Sequence, residues 1–325
     1  MSDNLAVNNQ ANSLKEIKRV KRRKLIARMK RCRGLYAMLA VPVAYVILFN
    51  YVPMYGISIA FQKFNPRMGF FGSEWIGFYH FNRLFSSPTL FRVIYNSIII
   101  NIYGLLAGFP LPILLAIGLN HMLSTKIKKS IQFITFVPHF FSVVILVGLL
   151  NQLLGTRFGL VNQFITAMGG QSIDILGPAS HYRHLFVWSG IWQGLGYSSV
   201  LYIASLASVD PELHEAAIID GASIWKRVIH IDLPTISPTV IIMLIFAIGG
   251  LMGGVSLEKT LLMQNAINMP VSEVLSTYVY RIGIMSGTPD FSFGTAVGLF
   301  QTLVSLILIA FSNFLAKRIS GSGLF

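Results

Sequence analysis

Residues 235–257 read TISPTVIIMLIFAIGGLMGGVSL, a run of 23 residues without one Asp, Glu, Lys or Arg. A hydrocarbon layer about 30 Å thick needs roughly 20 apolar residues of helix to cross it, so this stretch has membrane-spanning length. Five further uncharged, mostly apolar windows flank it, at 36–61, 93–120, 131–154, 184–207 and 293–316. In lipid the backbone must satisfy its own hydrogen bonds, and these windows are too long and too uniformly apolar for alternating barrel strands. The expected fold is therefore an all-α membrane protein, a bundle of six transmembrane helices. Pro42, Pro53, Pro110 and Pro112 lie inside the windows and should kink the helices that carry them.

Composition agrees with the bilayer as solvent. Of 325 residues 54% are hydrophobic and 12% charged, against roughly 25% charged in an ordinary soluble domain. The net charge of +14 is local, because eleven basic residues fall between Lys15 and Arg33. That clustering excludes a nucleic-acid-binding surface spread over the fold. Cys32 is the only cysteine, so neither an intramolecular disulfide nor a cysteine-based metal cluster can form. The seven histidines show no metal-ligand spacing, and no Ser-His-Asp set or carboxylate pair can be placed at membrane depth, so an enzyme is not expected.

Positively charged segments next to a span stay cytoplasmic. Residues 1–35, the loops 121–130 and 208–234 and the tail together hold 18 Lys and Arg, while the loops on the other side hold eight. Both termini are thus expected in the cytoplasm of a multi-pass protein of the bacterial inner membrane. The domain reading is a basic arm over 1–35, a six-span region over 36–320 and a short tail over 321–325. The first window is too long for a cleaved signal sequence and reads as an anchor. The arm reads as a topology determinant or a contact for anionic lipid.

The loop ahead of the fifth window, residues 209–234, carries the densest local signals. Asp210 can cap a helix whose first residue is Pro211, and Glu212 suits the positive end of that helix. Gly221 can take positive φ and end it, after which Ser223 can cap a second helix bearing Ile224, Val228 and Ile231. Leu233-Pro234 then opens the fifth span. Two short capped helices between spans, with Ala216 and Ala217 for close approach and Glu215 for a partner's arginine, suit a docking knob. A connector lying along the membrane surface would look similar.

Here a resemblance enters. Glu215-Ala216-Ala217, three residues, Gly221, nine residues, Ile231, one residue, Leu233-Pro234 resembles the cytoplasmic signature of permease subunits in bacterial binding-protein-dependent ABC importers. Asp220-Gly221-Ala222 and Trp192-Gln193-Gly194 resemble the carbohydrate branch, in particular its polysaccharide permeases, among which the sequence looks like an alginate importer subunit. No motif in the chain encodes alginate by itself.

The resemblance implies that Glu215, Ala216, Ala217, Asp220, Gly221, Ile231, Leu233 and Pro234 form a coupling element received by an ATPase subunit. It implies a second, different permease, two ABC ATPase subunits, an extracytoplasmic solute-binding protein and a carbohydrate substrate, with ATP and Mg held by the ATPases and no cofactor on this chain. No Gly-x-x-x-x-Gly-Lys-Ser/Thr phosphate loop occurs, so the motor must be another polypeptide. For the pathway, polar groups and ring faces suited to a sugar are Ser189, Trp192, Gln193, Gly194, Tyr197 and Ser198 in the fourth window and Met252, Gly253 and Ser256 in the fifth, with Asn151 and Gln152 as further candidates. Helical spacing puts Ser189, Gln193 and Tyr197 on one face. Small and polar residues also glue membrane helices together, which is the competing reading of each. Arg183, Lys259 and Arg281 read as outer-mouth cations that steer an acidic solute or snorkel to the interface. The alternative from another class is a secondary transporter driven by an ion gradient, which normally places a charged residue within a span; these windows contain none.

Overall fold

The structure is a computed structural model and describes residues 31–321 together with Gly323 and Leu324. The readings made of the basic arm through residue 30 lie outside the described residues. The chain divides into two compact units, one ending at Ser58 and the other beginning at Ile59.

In the first unit, α1 (Arg33–Val46) contains Pro42 and passes into a wider π-turn over Ile47–Tyr51, and none of its residues is buried. In the second unit a two-stranded antiparallel ribbon pairs β1 (Gln62–Lys63) with β2 (Glu74–Trp75). The helices that follow are α2 (Tyr79–Phe85), α3 (Pro88–Gly108), α4 (Pro110–Asn120), α5 (Thr125–Phe136), α6 (Val143–Leu154), α7 (Leu160–Ala167), α8 (Ala179–Leu206), α9 (Pro211–Ile219), α10 (Ile224–Arg227), α11 (Leu233–Gly249), α12 (Leu257–Met263), α13 (Leu275–Tyr280) and α14 (Phe291–Ser320).

Helix α8 is the hub of this unit, packed on α3, α4, α5 and α11, while α14 lies along α11. Three buried apolar clusters hold the unit together. One joins Leu84, Leu90, Val93, Met252, Leu275 and Phe293. A second gathers Ile100, Tyr182, Phe186 and Val274, and a third Ala116, Tyr202, Leu206 and Ile236. Outside them large apolar side chains stand exposed in rows, such as Leu306, Ile307, Phe311 and Phe314 on α14. Exposed patches of that extent suit lipid, not water.

Four helical runs are long and apolar enough to cross a membrane: Arg33–Phe61, Pro88–Asn120, Ile224–Gly249 and Phe291–Arg318. A fifth is obtained if the bent pair Thr125–Phe140 and Val143–Leu154 is taken as one span. The sixth expected crossing, 184–207, falls in α8. Its 28 residues give it a length of about 42 Å at 1.5 Å per residue, but Ser189, Gln193, Ser198 and Ser199 keep it below the apolarity of the others.

Two windows end or bend differently from expectation. The 131–154 window is broken by 104° between Phe140 and Val143. Pro138 sits in a tight turn there, and Ser142 restarts the helix by accepting a hydrogen bond from the Ile145 N–H at 3.3 Å. The fifth span opens at Ile224, nine residues before the expected Leu233, through a π-turn over Val228–Asp232. Pro234 lacks an N–H and its ring would crowd the carbonyl four residues back; the widened turn absorbs that defect. The same span closes at Gly249, so the glycine-rich segment 250–256 is a series of turns and not the end of a helix.

Candidate functional site: a capped loop and a cavity

The loop over 209–227 forms as its local chemistry demands. Asp210 accepts a hydrogen bond from the Glu212 N–H at 3.0 Å, with Pro211 in the first turn of α9. Gly221 takes φ +73°, a conformation that costs other residues a steric penalty. There the Ala222 N–H donates to the Ala217 carbonyl at 2.8 Å and the Gly221 N–H to that of Ile218 at 3.0 Å, a doubly bonded C-terminal cap. Ser223 accepts from the Lys226 N–H and starts α10. Glu215, Ala216 and Asp220 are exposed, Ala217 is half-buried, and Leu213, Ile218, Ile219 and Trp225 present large apolar side chains outward. Of the remaining signature residues, Ile231 is half-buried and Leu233 and Pro234 are exposed.

One residue inside the signature has a role that the sequence did not reveal. Asp232, the unspecified position between Ile231 and Leu233, is wholly buried. Its Oδ2 lies 2.5 Å from His121 Nε2 at the end of α4, and its Oδ1 lies 3.3 Å from His214 Nε2 on α9. Asn120 Nδ2 also donates to it at 3.5 Å, and the two histidine rings meet edge to face at 5.7 Å. One carboxylate thus ties the end of α4 to the turn into α11, with His214 of α9 packed beside it at 3.3 Å but forming no hydrogen bond through Nε2. The only hint in the sequence was an acid on an otherwise apolar helical approach; its partners are distant in the chain.

The candidate pathway residues separate into distinct places. Gln193, Gly194, Ser198 and Ser256 line one cavity of about 370 Å³ together with Asn101 and Lys259. Tyr197 and Ser198 line an adjoining cavity of about 690 Å³ that continues along α8 toward Tyr202 and Met243. The two share Asn101, Gly104, Gly108, Pro112, Ser198 and Gly254. Ser189 and Trp192 face elsewhere, into an apolar cleft against the leucines of α6, so Ser189, Gln193 and Tyr197 share no single cavity. Ser189 also turns its hydroxyl back onto the Leu185 carbonyl. Met252 belongs to a buried apolar cluster, and Gly253 packs against Gln301. Asn151 donates to the Val147 carbonyl of its own helix, and Gln152 is exposed.

Helix α8 is seated by two contacts that follow from the broken third window. Breaking the helix frees the Phe141 carbonyl, and Gln193 Nε2 donates to it at 2.8 Å. Tyr197 stacks on His139 with ring centroids 3.9 Å apart and 3° between planes. The three cations expected at the outer mouth differ from one another. Arg281 and Arg92 both pair with the buried Glu273, Arg183 donates to Asn96 Oδ1 at 2.9 Å, and Lys259 is buried, not snorkelling.

A helical bundle with rows of exposed apolar side chains, a polar-lined cavity along its central helix and a capped loop projecting between spans has the architecture of a membrane transport component. Over residues 108–321 the sequence matches the family described as binding-protein-dependent transport system inner membrane component. The chain belongs to that family, as a multi-pass ABC transporter permease subunit.

It is 40% identical over 308 residues to the polygalacturonan/rhamnogalacturonan transport system permease protein YteP of Bacillus subtilis, covering 95% of each chain. It is 39% identical over 300 residues to Protein LplB of the same organism, covering 92% of this chain and 93% of that one. A crystal structure of a bacterial alginate ABC transporter, in complex with its alginate pentasaccharide-bound periplasmic protein, contains a chain that superposes with a TM-score of 0.82. That chain is 33% identical, and the match covers 91% of this chain and 98% of that one.

Proposed function

We propose that the chain forms half of an ATP-driven import pathway for an oligosaccharide and is coupled to its motor through α9. The observation that carries the reading is the Asp210–Ser223 element. It is capped at both ends, packs His214 against the buried Asp232, and yet presents Glu215 and several large apolar side chains outward. A connector lying on the membrane would also bury apolar side chains; the outward carboxylate of Glu215 beside them suits a helix received in a partner's groove. A second, different permease completes the pathway, two ABC ATPases bind ATP and Mg, and an extracytoplasmic binding protein delivers the solute. Both termini then lie in the cytoplasm. ATP-driven closure of the ATPases shifts the pathway between inward-open and outward-open states by differential binding.

For the solute, similarity to permeases whose names concern polygalacturonan and alginate supports a fragment of an acidic polysaccharide, alginate among the candidates. The test is reconstitution with the co-purified ATPase and binding protein in liposomes. Uptake of uronate oligosaccharides should require ATP and survive ionophores. Uptake abolished by an ionophore and indifferent to ATP would instead identify a gradient-driven carrier.

A further inference from the structure

Lys259 is 5% exposed and lines the cavity that holds Asn101, Gln193, Ser198 and Ser256. Its Nζ donates to the Phe186 carbonyl at 2.7 Å and lies 4.6 Å from the centroid of the Phe186 ring. An ammonium carries three donors and a full charge. A carbonyl and a ring face occupy donors but supply no opposite charge. Among the described residues Lys259 forms no ion pair, whereas Arg83 pairs with Asp290, and Arg92 and Arg281 pair with Glu273. A charge buried without a counter-charge is expensive, and in membrane proteins such groups mark solute paths.

The surroundings say what the missing partner is. At about 370 Å³ the cavity falls in the range of small-molecule sites, roughly 300–1,000 Å³. Its amides and hydroxyls offer the mixed donors and acceptors that sugar hydroxyls need. The ammonium adds what a neutral sugar cannot use: a strong, charge-assisted hydrogen bond to a carboxylate. Holding the Phe186 carbonyl requires only a donor, which an uncharged amide also provides.

We infer that Lys259 is the carboxylate-recognising group of the pathway, the point within the cavity at which an acidic sugar residue is neutralised as it passes. This rests on the importer reading above and adds to it a named residue that sets the charge class of the solute.

The experiment compares Lys259→Gln, which keeps a donor without charge, with Lys259→Arg, which keeps the charge. The full transporter is reconstituted with its ATPases and binding protein, and import of a trisaccharide of galacturonic acid is measured per ATP hydrolysed, so that losses of assembly divide out. Truncating one partner of a buried, hydrogen-bonded charge pair weakens it strongly, so K259Q should lower import per ATP by about thirtyfold or more, with K259R within about threefold of wild type. Import by K259Q at the wild-type level, or equal failure of both variants, overturns the inference. A second measurement needs no variant. Amine acylation of Lys259, read by mass spectrometry in the wild-type complex, should be slowed by the trisaccharide and not by its carboxyl-reduced form; equal protection by both also overturns it. If wild type imports the neutral form and not the acidic one, the inference falls and the importer reading stands. If ATP drives import of neither, the pectin-type uronate reading of the solute falls, and the inference with it.

Discussion

His121 places Nε2 2.5 Å from Oδ2 of Asp232, joining the end of α4 to the turn that leads from the loop into α11. His214, one residue before Glu215, touches the other oxygen of the same carboxylate. If α9 couples to a motor as proposed, its displacement is expected to reach this carboxylate, which also holds the neighbouring span. Hydrogen bonds to charged groups contribute about 1.5–3 kcal/mol. Asp232→Ala should therefore lower the thermal stability of the solubilised permease by about that amount. In a double-mutant cycle His121→Ala and Asp232→Ala should be non-additive by about 0.5–3 kcal/mol. Additive losses would show that the two residues act independently.

At Gly221 the backbone is the constraint and space is not. Its φ is +73°, and nothing lies within 4 Å of where a Cβ would stand. The left-handed conformation costs an ordinary residue about 1–2 kcal/mol, more if it is β-branched, while Asn tolerates it. Gly221→Val should abolish uptake without preventing membrane insertion, and Gly221→Asn should retain most of it. Comparable loss in both would mean that a side chain at this position obstructs a partner, which uptake assays alongside ATPase co-purification would reveal.

Much of this was written into the sequence because the determinants are local. The caps at Asp210 and Ser223 and the turn at Gly221 depend on side chains reaching two or three residues along the chain, and the spans on runs of apolar composition. The break after Phe140 depended on more. Pro138 and Ser142 are local, but the carbonyl they release at Phe141 is satisfied by Gln193, 52 positions away. Lys259 looked interfacial for a similar reason. It lies just beyond an apolar window, and its burial comes from packing against Phe186 on α8. Asp232, His121 and His214 meet only once α4 and α9 are placed together.

Glu215 is exposed and forms no ion pair among the described residues, so reversing its charge should leave the permease fold intact. Glu215→Lys is expected to insert normally yet fail to retain the ATPase through purification, because like charges across a docking surface are repulsive. Stimulated ATPase activity in the purified assembly at the wild-type level would remove Glu215 from the docking surface.

Two glycines two residues apart on α8, and so on nearly opposite faces of the helix, separate packing from passage. A methyl on Gly196 would overlap the Thr135 carbonyl on α5, whereas one on Gly194 would meet nothing closer than Ser198 Oγ at 3.9 Å, on the wall of the cavity. Overpacking costs about 1–3 kcal/mol, and backbone gives way less readily than a side chain. Gly196→Ala should thus lower thermal stability by at least that much. Gly194→Ala should not lower stability and should raise it by up to about 1 kcal/mol, since helical Ala is favoured over Gly, so any loss of import it causes reports on the pathway itself. Substituting Gly194 by Leu should then reduce import steeply while the ATPase still co-purifies. Unimpaired import by a stable Gly194→Leu transporter would mean that the solute does not pass this wall.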